Sequence, residues 1–153
     1  MMTHLSSLFR APLLALSTFS LAACGGGDDS RDQRMAQAGP NPDLSALMRV
    51  ADPKIGARKF TQCAACHHIR PNAPDIGGPN LYNIYNQPFA TNSPRFGYTA
   101  MLRDYAGHWD AETLDQWMKN PKAMIPATTM QFSGVAHPLD RADIIAYIQS
   151  QSE

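Results

Sequence analysis

Apolar and polar positions follow three regimes along this chain. From Ala11 to Ala23 nearly every residue is apolar. From Cys24 to about Asp43 no apolar residue recurs at a helical or strand interval. There Gly25-Gly26-Gly27 leads through Asp28, Asp29 and Ser30 to Gly39-Pro40-Asn41-Pro42. A stretch with no face to bury is expected to be a flexible tether, and 20 such residues have a root-mean-square reach of roughly 25 Å. From Leu44 onward short helical patterns alternate with loops rich in Pro, Gly and Asn, and strand signals are weak. Asp52-Pro53 reads as a cap followed by proline at the first helical position, opening a helix through about Ala64. Gly56 and Phe60, four apart, share one face of it. Loops are expected over 68–79 and 86–97, with a helical turn at 81–85 and a short helix over 98–105. Asp110 or Ala111 opens another helix that Asn120-Pro121 closes. The clearest helix spans 139–149: Asp140 and Asp143 lie near its positive end, and Ile144, Ile145 and Ile148 form its apolar stripe. The expected fold class is all-α, with about four or five short helices and long loops.

Length and charge narrow the picture. The 153 residues leave room for one domain, expected over 44–153. His4 and Arg10 precede the apolar run, which is too short to span a bilayer and ends in small residues, so 1–23 reads as a signal peptide. Its end, Leu21-Ala22-Ala23-Cys24, resembles a bacterial lipobox, in which the cysteine is lipidated and the peptide cut before it. An ordinary signal peptide with a cysteine at the cut is the alternative. Cleavage removes Arg10, leaving 12 basic against 13 acidic residues. With no basic run and that balance, nucleic-acid binding is not expected.

The chemistry is concentrated in Cys63-Ala64-Ala65-Cys66-His67, which reads C-x-x-C-H, the attachment signal of a c-type haem. Two thiols three positions apart on a helical turn can each add to one vinyl group along a porphyrin edge. The next residue, His67, then offers an imidazole nitrogen to the iron. The alternatives are a redox disulfide or half a zinc site. Zinc wants a second Cys or His pair at matching spacing, and the only other cysteine, Cys24, lies far upstream. A covalently held haem would also supply the apolar mass that a loop-rich domain of this size lacks. Iron bound by one histidine still lacks a sixth ligand. Met101, His108, Met118, Met124, Met130 and His137 are candidates, and Met130 is preferred because it sits in a loop rather than on a helix face.

These segments together resemble class I cytochromes c, specifically the mitochondrial and bacterial c2-like branch, over nearly all of 52–151. Gly56-x-x-x-Phe60 ahead of the cysteine motif is similar to that family's first helix. Gly78-Pro79-Asn80-Leu81 is similar to its loop after the haem. Phe96-Gly97-Tyr98-Thr99, Trp109 and Leu114 to Trp117 resemble its middle helices, Asn120-Pro121-Lys122 through Ile125-Pro126 to Met130 its methionine loop, and residues 140–148 its last helix. The resemblance implies the cytochrome c fold wrapped around one covalent haem c, with His67 and Met130 as iron ligands. It further implies that the Pro79 carbonyl holds the other nitrogen of His67 and that Tyr98 and Trp109 bond a haem propionate. Thr128 would order the methionine loop, and Gly56 and Phe60 would pack on Ile144 and Tyr147. Phe60 lies one residue closer to the first cysteine than in the mitochondrial branch, which would tighten or kink the junction. Gln87 stands where an arginine is frequent, with Arg95 a substitute. Trp117 replaces a tyrosine, and the lysine ring thins to Lys122, with Ala123 and Thr129 at two positions where lysine is common.

The function this implies is one-electron carriage rather than catalysis. The chain is expected to be a monomer, tethered by a lipid on Cys24 to the periplasmic side of a bacterial membrane. Its redox partners would be a quinol-oxidising complex or dehydrogenase as donor and a terminal oxidase or reductase as acceptor. Two other roles stay open: the electron-entry subunit of a periplasmic oxidoreductase, and, were Met130 to bind weakly, a sensor of small ligands. Gly25 after the cysteine suggests the outer membrane, electron-transfer logic the inner, and the choice stays open.

Overall fold

The computed structural model describes residues 28–152. The expected signal peptide over 1–23 and Cys24 lie outside the described residues. Within them the chain forms seven helices and no strand, the one sheet-like feature being an isolated bridge between Pro88 and His108. None of these helices is long and apolar enough to cross a membrane. The helices are α1 (Asp28–Ala38), α2 (Leu44–Val50), α3 (Pro53–Lys59), α4 (Ala100–Asp104), α5 (Ala111–Lys119), α6 (Pro121–Met124) and α7 (Pro138–Ser150).

Local chemistry explains most boundaries. The Asp52 carboxylate accepts from the N–H groups of Lys54 and Ile55, and Pro53 sits where its missing N–H costs nothing. Asp43, Thr99 and Asp110 cap α2, α4 and α5 in the same way. Asn120 both ends α5 and caps α6, so the expected loop after it begins with a single helical turn. The loops reverse at Asn72, Asn83 and Asn86, all with φ near +60° (57°, 57° and 62°), which asparagine tolerates better than most residues. Residues 81–85 are turns rather than a helix.

The core is assembled across α7. Ile144, Ile145 and Ile148 pack with Phe60, Ile84, Leu102, Trp109, Leu114, Met118 and Ile125 in one buried cluster. Where α3 crosses α7, Gly56 lies against the Asp143 carbonyl and Tyr147, so close that a Cβ would overlap the carbonyl oxygen. Phe60 meets Tyr147 edge-on at 5.4 Å.

Within the described residues, the structure corrects the expectation of a free tether over 24–43 at 28–38. Residues 28–38 are helical, packed on α2 and tied to α7 by two arginines. Arg34 donates to both carboxylate oxygens of the fully buried Asp143 (2.6 and 3.0 Å), and Arg31 pairs with Asp140 (3.2 Å). Met35 and Ala38 add apolar contact with Leu47, Leu139 and Ala142. Gly39, at φ +94°, then ends the helix with its N–H on the Met35 and Ala36 carbonyls. The segment looked disordered because its order depends on carboxylates more than a hundred residues away. Its own apolar positions are too few to form a periodic face.

Candidate haem-binding site

Helix α3 stops at Lys59, short of the expected end near Ala64, and Phe60–Gln62 continue as a 3₁₀ turn, so of the two outcomes expected from the short Phe60–Cys63 spacing, tightening or kinking, the chain here tightens. The coil then carries on locally: Cys63 N–H donates to the Phe60 carbonyl (2.8 Å), and Cys66 and His67 N–H groups donate to the Cys63 carbonyl (3.0 and 2.9 Å). Both thiols and the imidazole are thus presented from one compact turn. Cys63 is half-buried against the apolar core, and burial, then the neighbouring Cys66, pushes its thiol up to about 11. Cys66 is exposed and unpaired.

The imidazole of His67 is held from the other side. Its Nδ1–H donates to the Pro79 carbonyl at 2.7 Å, which assigns the tautomer and leaves Nε2 with a free lone pair. Burial lowers the His67 pKa against the opposing pull of the Pro79 carbonyl and of Asp75, so the neutral ring that a metal requires is favoured. Gly78 packs so tightly on this ring that a Cβ would collide with it, and Gly77 lies against Cys66, where a Cβ would sit 3.2 Å from Sγ. Close approach therefore requires glycine at 78, whereas at 77 the Cys66 side chain would have to give by a few tenths of an ångström.

Met130 sits half-buried in a loop pinned at both ends. Upstream, Ile125 is completely buried and its carbonyl accepts from the Thr128 N–H (3.0 Å). Downstream, the Val135 N–H donates to the Met118 carbonyl (2.8 Å), and Gly134, at φ +99°, turns against the Lys119 carbonyl. The Thr128 hydroxyl accepts from the Met130 N–H at 3.2 Å. Met118 is in the core, and Met101 is exposed on α4. Trp109 is buried edge-on between Phe89 (4.5 Å) and Trp117 (5.4 Å). Tyr98 is half-buried; burial raises its pKa, while a bond from the Ser93 N–H works the other way. Arg95 is exposed.

These residues fit a covalent haem. Two thiols precede the imidazole on one turn, and the histidine is held in the tautomer that leaves a ring nitrogen for a metal. Among the described residues, no three His, Cys, Asp or Glu side chains gather as a site for a bare metal ion, which disfavours the zinc reading. One feature had no sequence signal at all: Asp75, which binds both Asn80 and Ser93 beside the His67 loop.

No family model matches the chain. Over 148 residues, it is 30% identical to the "cytochrome c homolog" of Bradyrhizobium diazoefficiens, covering 97% of this chain and 80% of that protein. It is 39% identical over 102 residues to the cytochrome c2 of Rhodomicrobium vannielii, covering 67% of this chain and 81% of that one. Among solved structures, cytochrome cH from Methylobacterium extorquens aligns with a TM-score of 0.60 at 30% identity, spanning 65% of this chain and 99% of that chain.

Proposed function

The chain belongs to the cytochrome c family and is an electron carrier with one covalent haem c, and on that premise we propose that it works as a membrane-tethered periplasmic carrier with His67 and Met130 as iron ligands. The observation that carries this reading is the His67 geometry: Nδ1–H on the Pro79 carbonyl at 2.7 Å, Nε2 free, and both cysteines on the same turn. When bound, haem c supplies an iron that changes oxidation state by one electron.

The chain's own residues do the rest. Cys63 and Cys66 hold the group by thioethers, and the Pro79 carbonyl fixes the plane of His67. Thr128 holds the backbone of the methionine loop. The Met130 thioether favours the reduced metal and so a high potential. With His67 and Met130 both holding the iron, no ligand position would be left for a substrate, in keeping with carriage rather than catalysis. Tyr98 and Trp109 would offer their O–H and N–H to a propionate, making its burial tolerable.

With lipid on Cys24, the leash is shorter than the composition of 24–43 suggests. Only Gly25-Gly26-Gly27 separates that cysteine from α1, a reach of at most about 14 Å. The domain would therefore work close to the membrane, as a monomer between a quinol-oxidising complex or dehydrogenase and a terminal oxidase or reductase. The test is reduction of the purified full chain by membranes containing a quinol-oxidising complex. Reduction should keep pace with quinol turnover and stop with an inhibitor of that complex; reduction too slow for turnover removes that donor. Cys24→Ser should move the protein from the membrane to the periplasmic fraction, and a wild type already free of the membrane contradicts the tether.

A further inference from the structure

The Pro79–Asn80 peptide is held at both ends by groups of unequal charge. Its carbonyl accepts from His67 Nδ1–H at 2.7 Å, and its N–H donates to the Asp75 carboxylate Oδ1 at 2.8 Å. A carboxylate drawing on the N–H polarises the amide and makes its oxygen a stronger acceptor. That oxygen pulls harder on Nδ1–H, and the imidazole becomes a stronger donor at Nε2. The carboxylate is shared with the other side of the site, since Ser93 Oγ donates to Oδ1 and Oδ2 at 2.6 and 2.7 Å. Asn92 ties the same two loops together by donating to the Asn80 carbonyl at 2.7 Å. Asn80 in turn donates from Nδ2 to the Arg70 and Ala73 carbonyls.

We propose that Asp75 is a tuning residue for electron transfer, setting the donor strength of His67 through the Pro79–Asn80 peptide and thereby lowering the reduction potential, with Ser93 as a counterweight. The direct field of the carboxylate acts in the same sense, because negative charge near the site favours the oxidised metal. The inference rests on the His67 ligation proposed above. Those two readings fail separately: a wild-type spectrum without a histidine-bound low-spin haem defeats the ligation before any variant is made.

The two neighbours predict opposite shifts. Asp75→Asn keeps the shape and removes the charge, so the peptide oxygen weakens as an acceptor. The variant should exchange electrons with a fixed mediator couple at an equilibrium displaced roughly tenfold toward the reduced protein, about 59 mV for one electron. Ser93→Ala removes the hydroxyl that competes for the carboxylate and should shift the equilibrium the other way, toward the oxidised protein. In the reduced holoprotein the His67 Nδ1–H proton resonance should move upfield in Asp75→Asn and downfield in Ser93→Ala. A role confined to stapling the loops would loosen the site in both variants and move both potentials in one direction. Shifts of the same sign, or no shift in Asp75→Asn, overturn the proposal. If Asp75→Asn does not yield folded holoprotein, Ser93→Ala decides alone: a move toward the oxidised form supports it, and no move or the reverse overturns it.

Discussion

Truncating Arg34 to alanine tests whether α1 belongs to the folded unit. The side chain lies 15% exposed over a carboxylate that is 0% exposed, with bonds of 2.6 and 3.0 Å, and a third bond reaches the Val50 carbonyl at 3.3 Å. The Asp143 carboxylate, through its hydrogen bond first and then its charge, holds the guanidinium above its ordinary pKa. Removing one partner of a buried pair costs about 3–5 kcal/mol, because the other charge is left in a poor solvent. Two features lower the cost here. The Asp52 N–H still donates to Asp143 Oδ1 at 2.9 Å, and water can follow the missing side chain in from its exposed edge. The expected loss is therefore about 2–3 kcal/mol. Guanidinium titration of the holoprotein, followed by far-UV circular dichroism, measures it. The double variant with Asp143→Asn should lose less than the two single changes combined, showing coupling above about 1 kcal/mol. A loss below about 0.5 kcal/mol for Arg34→Ala would mean that α1 is not docked in solution and that 28–38 behaves as the tether its composition suggested.

Gly56→Ala should force α3 and α7 apart at the Asp143 carbonyl and cost about 3 kcal/mol or more by the same titration, an overpacking effect at a backbone contact that cannot yield. Gly78→Ala should displace the His67 ring and break its bond to Pro79, seen as partial loss of the low-spin haem spectrum at room temperature. Ala90 holds φ +59°, so Ala90→Gly should raise stability by about 1 kcal/mol, read as a shift of the unfolding midpoint without a change of slope.

The parts of this molecule legible in its sequence are those whose causes are local. Asp52-Pro53, Asp110 and Asn120-Pro121 place helix boundaries within a residue or two because each cap acts on the next turn. The isoleucines of α7 mark the core face. The cysteine–histidine turn is visible because covalent attachment demands a fixed spacing. What the sequence concealed depends on distant partners. Helix α1 is held by Arg34 reaching Asp143, 109 positions away. Helix α2 has only seven residues, too short for its periodicity to stand out. Asp75 looks like any loop aspartate until folding brings Ser93 and the Asn80 N–H to it. Gly78 reads as a turn glycine, whereas its tight contact with His67 is a property of packing.

Electron carriage by this chain depends on His67 and Met130 holding one iron. Visible spectra of the purified mature protein, oxidised and reduced, beside Met130→Ala, test this directly. The oxidised wild type should show the weak far-red iron–methionine band, and the variant should lose it while keeping the covalent haem. A wild type without that band, whose reduced form takes up carbon monoxide rapidly, would contradict the carrier mechanism and point to an open site that binds small ligands.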